Sequence, residues 1–310
     1  MSYAVVFPGQ GSQSVGMLKN IYDDSSIVRD TFNEASDILG YDLWQLISLG
    51  PKESLNQTEF TQPALLASGI AVFREFKNCC ARILPEVLSG HSLGEYTALV
   101  AAEAIDYGSA LKLVQTRGKL MQKAVPSGEG AMLAILGLSD DQVLKACDLS
   151  SQGEIIAPAN FNSPGQVVAA GTKAAVERLA KVAKDLGAKR TVELPVSVPS
   201  HCMMLKEAAD EFKGHLSACN WKMPSTLVLH NRSAKSSDSV IEIVEMLYEQ
   251  LFSPVLWVDV INNISSKTAT VLEVGPGAVL TGLNKRINKN IRCMSINTMD
   301  SINSELENIK

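Results

Sequence analysis

The stretch Val87-Leu88-Ser89-Gly90-His91-Ser92-Leu93-Gly94, running into Glu95-Tyr96-Thr97-Ala98-Leu99, decides the reading of this chain. Its apolar start is a short buried strand. The Gly-His-Ser-Leu-Gly turn fits the Gly-x-Ser-x-Gly nucleophile elbow, and the residues from Glu95 to Ala104 continue as a helix. Glycines on both sides of Ser92 allow a sharp turn that lifts the hydroxyl above a sheet, where a side chain would crowd backbone or an incoming acyl group. The positive end of the following helix and the Leu93 amide lie where an oxyanion would develop.

Upstream, Ala4-Val5-Val6-Phe7 reads as a second buried strand, closed by Pro8-Gly9-Gln10-Gly11. Helical apolar spacing follows over Ile27 to Ile47 and over Gln62 to Phe76, with Pro63 expected in the first turn of the latter. The middle of the chain has a different rhythm. Strands are expected at Ala131 to Leu138, Ile155 to Asn160, Gln166 to Ala170 and Arg190 to Leu194, with helices at Asp140 to Cys147 and Lys173 to Leu186. The order βαββαβ is the ferredoxin-like pattern. The fold class is therefore α/β: a larger hydrolase-like unit with a parallel sheet, residues 1–126 and 197–310, carrying an inserted ferredoxin-like domain at 127–196.

Composition narrows the setting. With 310 residues, 46% hydrophobic and 20% charged, the chain has the make-up of an ordinary globular protein. Its longest apolar run, around Ala64 to Phe73, is too short for a membrane span, and the amino terminus lacks the pattern of a secretory signal. A cytoplasmic location is expected, with neither membrane nor nucleic acid as a partner, since a net charge of -5 gives no global attraction to either. The six cysteines show no Cys-x-x-Cys spacing, so no metal site is expected and the thiols are read as buried.

A serine needs a base, and the four histidines are His91, His201, His215 and His230. His201 is the best placed, in Val198-Pro199-Ser200-His201, where the chain returns from the insert. His215 falls in a solvated helical stretch. Cys202 lacks the glycine turn and second histidine that a thiol nucleophile would want. The loop Gly9-Gln10-Gly11 lacks the third glycine of a dinucleotide fingerprint and the lysine of a phosphate loop. Gln10 makes better sense as an oxyanion donor facing the elbow, alongside the Leu93 amide.

Six segments, in order, carry a resemblance across essentially the whole chain: Phe7 to Gln13, Thr61-Gln62-Pro63, Gly90 to Gly94, Gln115-Thr116-Arg117-Gly118, Val198 to His201, and Glu273-Val274-Gly275-Pro276-Gly277. The chain resembles the malonyl-CoA:acyl carrier protein transacylases of bacterial type II fatty acid synthesis. The resemblance implies Ser92 as nucleophile, His201 as base, and Gln10 with the Leu93 amide as oxyanion hole. It further implies Arg117 as partner of the malonyl carboxylate, and Gln250 as the residue whose backbone carbonyl orients the histidine. His91, Met121 and Ser200 complete the substrate-binding set it implies. No cofactor is expected beyond the coenzyme A thioester, which is a substrate. The implied partners are malonyl-CoA and an acidic acyl carrier protein, with Lys189 and Arg190, and Lys285, Arg286, Lys289 and Arg292, as the docking clusters.

Two departures stand out: Ala278 where a lysine is common, and His230-Asn231 where paired asparagines are often seen. Neither is expected to touch the chemistry. A serine hydrolase using the same elbow and a silent carrier-docking module are the competing readings; the pairing of Gln10 with Arg117 and the intact Ser92 and His201 argue against them.

Overall fold

Ala4–Phe7 forms strand β1, and every one of its side chains is buried. A strand apolar at consecutive positions must be covered on both faces, which is the environment of a parallel sheet flanked by helices. The computed structural model describes residues 2–80, 84–126, 128–195 and 198–309. In it β1 lies at the centre of a five-stranded sheet with β2 (Val87–Gly90), β7 (Leu227–Val228), β8 (Thr270–Val274) and β9 (Arg292–Ile296), in the order β7-β2-β1-β8-β9. Its strand pairs are parallel. The carboxyl ends of β1, β2 and β8 therefore open on one edge, and the loops that follow them are Pro8 to Gly11, the elbow, and Gly275-Pro276-Gly277.

The middle segment folds as a separate antiparallel sheet of β3 (Gly130–Leu136), β4 (Ile156–Ser163), β5 (Gln166–Thr172) and β6 (Arg190–Glu193), in the order β4-β5-β3-β6. Helices Asp140–Ser151 and Lys173–Asp185 connect it. This is the expected ferredoxin-like order, and each strand lies within a few residues of its expected span. The expected division points at residues 127 and 196 fall outside the described residues. β4 is tied back to the larger unit: Phe161 N–H donates to the Val255 carbonyl at 3.0 Å, and Val255 N–H to the Ala159 carbonyl at 2.9 Å.

Three local expectations are corrected. The stretch 27–47 is two helices, Ser26–Leu39 and Leu43–Leu49, because Gly40 takes a left-handed φ of 76° that ends the first. Asp42 then caps the second by accepting the Gln45 N–H at 2.8 Å. Pro63 lies inside a helix that begins at Thr58 and runs to Cys79, beyond the first turn. Of the six cysteines, read as buried, Cys147, Cys202 and Cys293 are so; Cys79, Cys80 and Cys219 are partly exposed. No helix among the described residues is long and apolar enough to cross a membrane.

Candidate active site

At the end of β2 the backbone turns through Ser92, whose φ of 52° and ψ of -105° lie outside the ordinary regions for a side-chain-bearing residue. The flanking glycines are required by backbone contact. A Cβ at Gly90 would stand 2.1 Å from the Gly94 carbonyl, and one at Gly94 would stand 2.2 Å from the Phe7 carbonyl of β1. The helix Leu93–Ala101 begins at once, so the Leu93 N–H, in first helical position, has no carbonyl one turn back to bond.

His201 Nε2 lies 2.8 Å from Ser92 Oγ, and its Nδ1 lies 2.7 Å from the main-chain carbonyl of Gln250. A carbonyl only accepts, so Nδ1 carries the proton and the Nε2 lone pair faces the serine. Gln250 is the last residue of the helix Val240–Gln250. Its carbonyl is one of the orphans every helix leaves at its carboxyl end, and the negative pole there favours an imidazolium as it forms. A helix end thus occupies the place an acidic side chain takes in other triads. Burial, and then the neighbouring Arg117 guanidinium, push the His201 pKa down to about 3, so the imidazole rests neutral.

Arg117 is 1% exposed. It is carried by the helix Tyr107–Ala124, which can approach the start of the Thr58–Cys79 helix because Gly118 has no side chain: a Cβ there would lie 2.6 Å from the Thr58 carbonyl. One guanidinium nitrogen donates to Ser92 Oγ at 3.3 Å and to Gln250 Oε1 at 3.0 Å, and the guanidinium carbon sits 5.3 Å from the centre of the Tyr96 ring. Its Nε meets no acceptor. A buried cation with unused donor capacity beside a nucleophile suits an acyl group that carries a carboxylate.

A cavity of about 110 Å³ is lined by Gln10, His91, Ser92, Leu93, Arg117, Met121, Ser200 and His201. Of the sequence-derived site residues only Gln250 stands behind the wall, where it meets the others by hydrogen bonds. The smaller sheet closes the cavity with Met132 and Asn160. Met121 is held by Gln62, whose Nε2 donates to its sulfur at 3.3 Å, which gives the Thr61-Gln62-Pro63 segment a place near the site. His91 turns away from the serine to meet Asn162 Oδ1 at 2.9 Å, and burial lowers its pKa. Glu273 serves the fold: its carboxylate accepts the Leu280 and Thr281 N–H groups at 3.0 and 2.6 Å, capping the helix Val279–Ile287. A larger cavity of about 450 Å³, among Arg74, Lys77 and Lys222, contains no nucleophile and base in contact.

Sequence reading missed the polar layer beneath the elbow. Asn231 Oδ1 accepts the Ser92 N–H at 2.6 Å, and Glu95 accepts from Asn231 N–H at 2.9 Å and from Gln250 Nε2 at 2.7 Å. The departing residue of the His230-Asn231 pair, His230, meets Glu95 Oε1 at 2.7 Å and neither Ser92 nor His201; the contact with the elbow is made by Asn231, the asparagine that the pair keeps. The available signal was Glu95 itself, a carboxylate in an otherwise apolar helix start. Of the docking cations, Arg292 is committed to a two-pronged pair with Glu305. Lys189, Arg190, Lys285, Arg286 and Lys289 are exposed.

The chain matches the acyl transferase domain family over residues 4–301. It is 50% identical over 303 residues to the malonyl CoA-acyl carrier protein transacylase of Haemophilus influenzae, covering 97% of each, and 47% identical to that of Escherichia coli, covering 98% of this chain and 99% of the other. Among solved structures it is similar to an acyl carrier protein S-malonyltransferase from Vibrio cholerae, with a TM-score of 0.96, 49% identity and coverage of 98% and 100%. It is also similar to a malonyl-transacylase solved in complex with a type II polyketide synthase acyl-carrier protein, with a TM-score of 0.98, 47% identity and coverage of 99% and 100%. The strand-turn-helix elbow, the serine-histidine-carbonyl chain and the buried arginine thus occur in a sequence and a fold shared along nearly the full length of these proteins, and the chain belongs to the malonyl CoA-acyl carrier protein transacylases of the acyl transferase family.

Proposed function

We propose that this protein moves a malonyl group from malonyl-CoA to the phosphopantetheine thiol of acyl carrier protein, supplying fatty acid synthesis through a malonyl ester on Ser92. The observation that carries the reading is Arg117 Nη2 at 3.3 Å from Ser92 Oγ, because it sets a buried cation within reach of the far end of a three-carbon acyl group. In the first half-reaction Ser92 Oγ attacks the thioester carbon as its proton passes to His201 Nε2. The carbonyl oxygen becomes an oxyanion facing the Leu93 N–H and Gln10. Collapse breaks the carbon–sulfur bond, and the departing thiolate takes the proton from His201. In the second half the carrier's thiol attacks the malonyl-serine ester by the same steps in reverse. Acyl transfer between two thiols balances without an oxidant or reductant, so no cofactor is required. A coenzyme A thioester as substrate supports a cytoplasmic location.

Carrier docking is assigned to one rim. Gln166, Leu136 and Arg190 are side by side across β5, β3 and β6, and Arg286 donates to Gln166 Oε1 at 2.6 Å. Two basic clusters far apart in sequence thereby meet at one end of the small sheet, beside Lys189 and Lys285, and suit an acidic partner. Coenzyme A release from malonyl-CoA, measured with and without carrier protein, tests the whole reading. Stoichiometric release alone and turnover only with carrier are the expected results; steady release without carrier would make the protein a hydrolase.

A further inference from the structure

Ser92 holds a left-handed φ of 52° with ψ of -105°, a strained conformation that persists only where surrounding contacts over-determine it. The flanking glycines permit the turn but do not hold it. Side chains from far along the chain reach the turn, and one of them, 139 residues away in sequence, bonds it on both sides. Asn231 Oδ1 accepts the Ser92 N–H at 2.6 Å while its Nδ2 donates to the Gly90 carbonyl at 2.7 Å. One carboxamide thus spans the turn, offering an acceptor on one side and a donor on the other, and those fixed partners settle which way the amide faces.

Asn231 is itself pinned. Its N–H donates to Glu95 Oε2 at 2.9 Å, and the same oxygen accepts Gln250 Nε2 at 2.7 Å, while Glu95 Oε1 lies 2.7 Å from His230 Nδ1. Gln250 Nε2 also donates to the Ser92 carbonyl at 3.1 Å. Glu95 and Asn231 are fully buried, and His230 and Gln250 are 1% exposed. Both main-chain groups of Ser92 are therefore bonded to residues that share one carboxylate, Asn231 through its main-chain N–H and Gln250 through its side chain, and Gln250 is also the residue that orients His201.

We propose that Asn231 is the positioning residue of the nucleophile, holding the strained Ser92 turn so that Oγ faces His201, with Glu95 as the anchor that fixes Asn231 and Gln250 in common register. The inference rests on reading Ser92 as the acyl carrier. Without the carboxamide, the Ser92 N–H and the Gly90 carbonyl lose their partners in an interior site, and rotation of Ser92 out of its left-handed φ relieves the strain. That rotation moves Oγ off the His201 nitrogen and leaves Arg117 in place. The loss falls on the chemical step and spares substrate binding.

The test is single-turnover coenzyme A release from malonyl-CoA, expressed per titrated active site, for the wild type, Asn231→Ala and Asn231→Asp. The saturating rate of Asn231→Ala is expected to fall about 100-fold, the scale of a 1 Å misplacement, with half-saturation by malonyl-CoA changed less than about two-fold. Asn231→Asp keeps shape and adds a pH signature. Protonated, its carboxyl can accept from Ser92 and donate to Gly90; ionised, it faces the Gly90 carbonyl without a donor. Burial beside Glu95 raises the pKa of the new group, with His230, His201, His91 and Arg117 as the other ionisable neighbours. The ratio of Asn231→Asp to wild type should therefore climb as pH falls from 8 to 5.5. A folded Asn231→Ala within about three-fold of wild type, or a flat ratio for Asn231→Asp, overturns the proposal, and the ratio decides alone if the alanine variant does not fold. A wild type that forms no adduct on Ser92 sinks the acyl-carrier reading itself, whereas a wild-type adduct with unaffected Asn231 variants sinks only this inference.

Discussion

Replacing Arg117 by alanine should separate malonyl from acetyl transfer. The guanidinium is 1% exposed, so a malonyl carboxylate paired with it is withdrawn from water, and losing one partner of such a buried pair costs about 2–5 kcal/mol. That corresponds to a drop of roughly 30-fold to several-thousand-fold in kcat/KM for malonyl-CoA. The structure adds a loss that both substrates share. Arg117 also donates to Ser92 Oγ at 3.3 Å and Gln250 Oε1 at 3.0 Å, and truncation strands that buried amide oxygen. An unsatisfied neutral group of this kind costs about 1–3 kcal/mol, part of which reaches the serine geometry. Acetyl has no carboxylate, and in the wild type it leaves the cation without a counter-charge, a penalty that the alanine variant removes. For acetyl the two effects oppose, whereas for malonyl they add. Side-by-side kcat/KM values for malonyl-CoA and acetyl-CoA on folded variant should thus move apart by at least about ten-fold. Parallel losses would show that Arg117 supports the site without reading the acyl group.

Three further outcomes are expected. Because burial holds the His201 pKa near 3, the neutral base persists as pH falls, so the acylation rate should stay level from pH 8 to 5; an acid limb centred near 6.5, the ordinary histidine value, would contradict the assigned environment. Gly94→Ala would drive a Cβ to 2.2 Å from the Phe7 carbonyl, so it should lower Tm by several degrees, for a cost of about 2–3 kcal/mol, and abolish acylation; an active variant of unchanged Tm would remove the steric account of the elbow. Reversing charge at Lys189 and Arg190, or at Lys285 and Arg286, should raise KM for carrier protein several-fold and spare coenzyme A release, with rising salt weakening the wild type in the same way. Equal effects on both half-reactions would argue against docking on that rim.

Local sequence carried most of the architecture because the decisive features are local. The elbow is a strand, a turn and a helix within a few residues, and the βαββαβ segment announces itself by strand periodicity and the Pro164-Gly165 turn. Misreadings arose where one residue breaks a continuing pattern, as Gly40 does, or where tertiary packing tolerates a proline inside a helix, as at Pro63. The site divides the same way. Ser92 lies in a motif, and His201 is picked out by its place where the chain returns from the insert. Nothing near Asn231 in sequence signals that its carboxamide holds an elbow 139 residues earlier, and the Gln250 side chain meets Ser92 and Arg117 only once three helices have assembled. Hydrogen bonds between distant segments leave no periodicity to read. The basic residues are similar: Arg190 and Arg286 come to the same end of the small sheet only through the register of β3, β5 and β6 and the Arg286 contact with Gln166.

The central claim, that Ser92 carries the acyl group, is tested most directly by peptide mass spectrometry after brief exposure to malonyl-CoA and acid quench. The account predicts one malonyl adduct, on the peptide containing Ser92, which disappears in Ser92→Ala and is discharged by carrier protein in the wild type. His201→Ala should retain a slow trace of it, since the oxyanion donors remain. A malonyl adduct on any other residue, or one that persists in Ser92→Ala, would contradict the account.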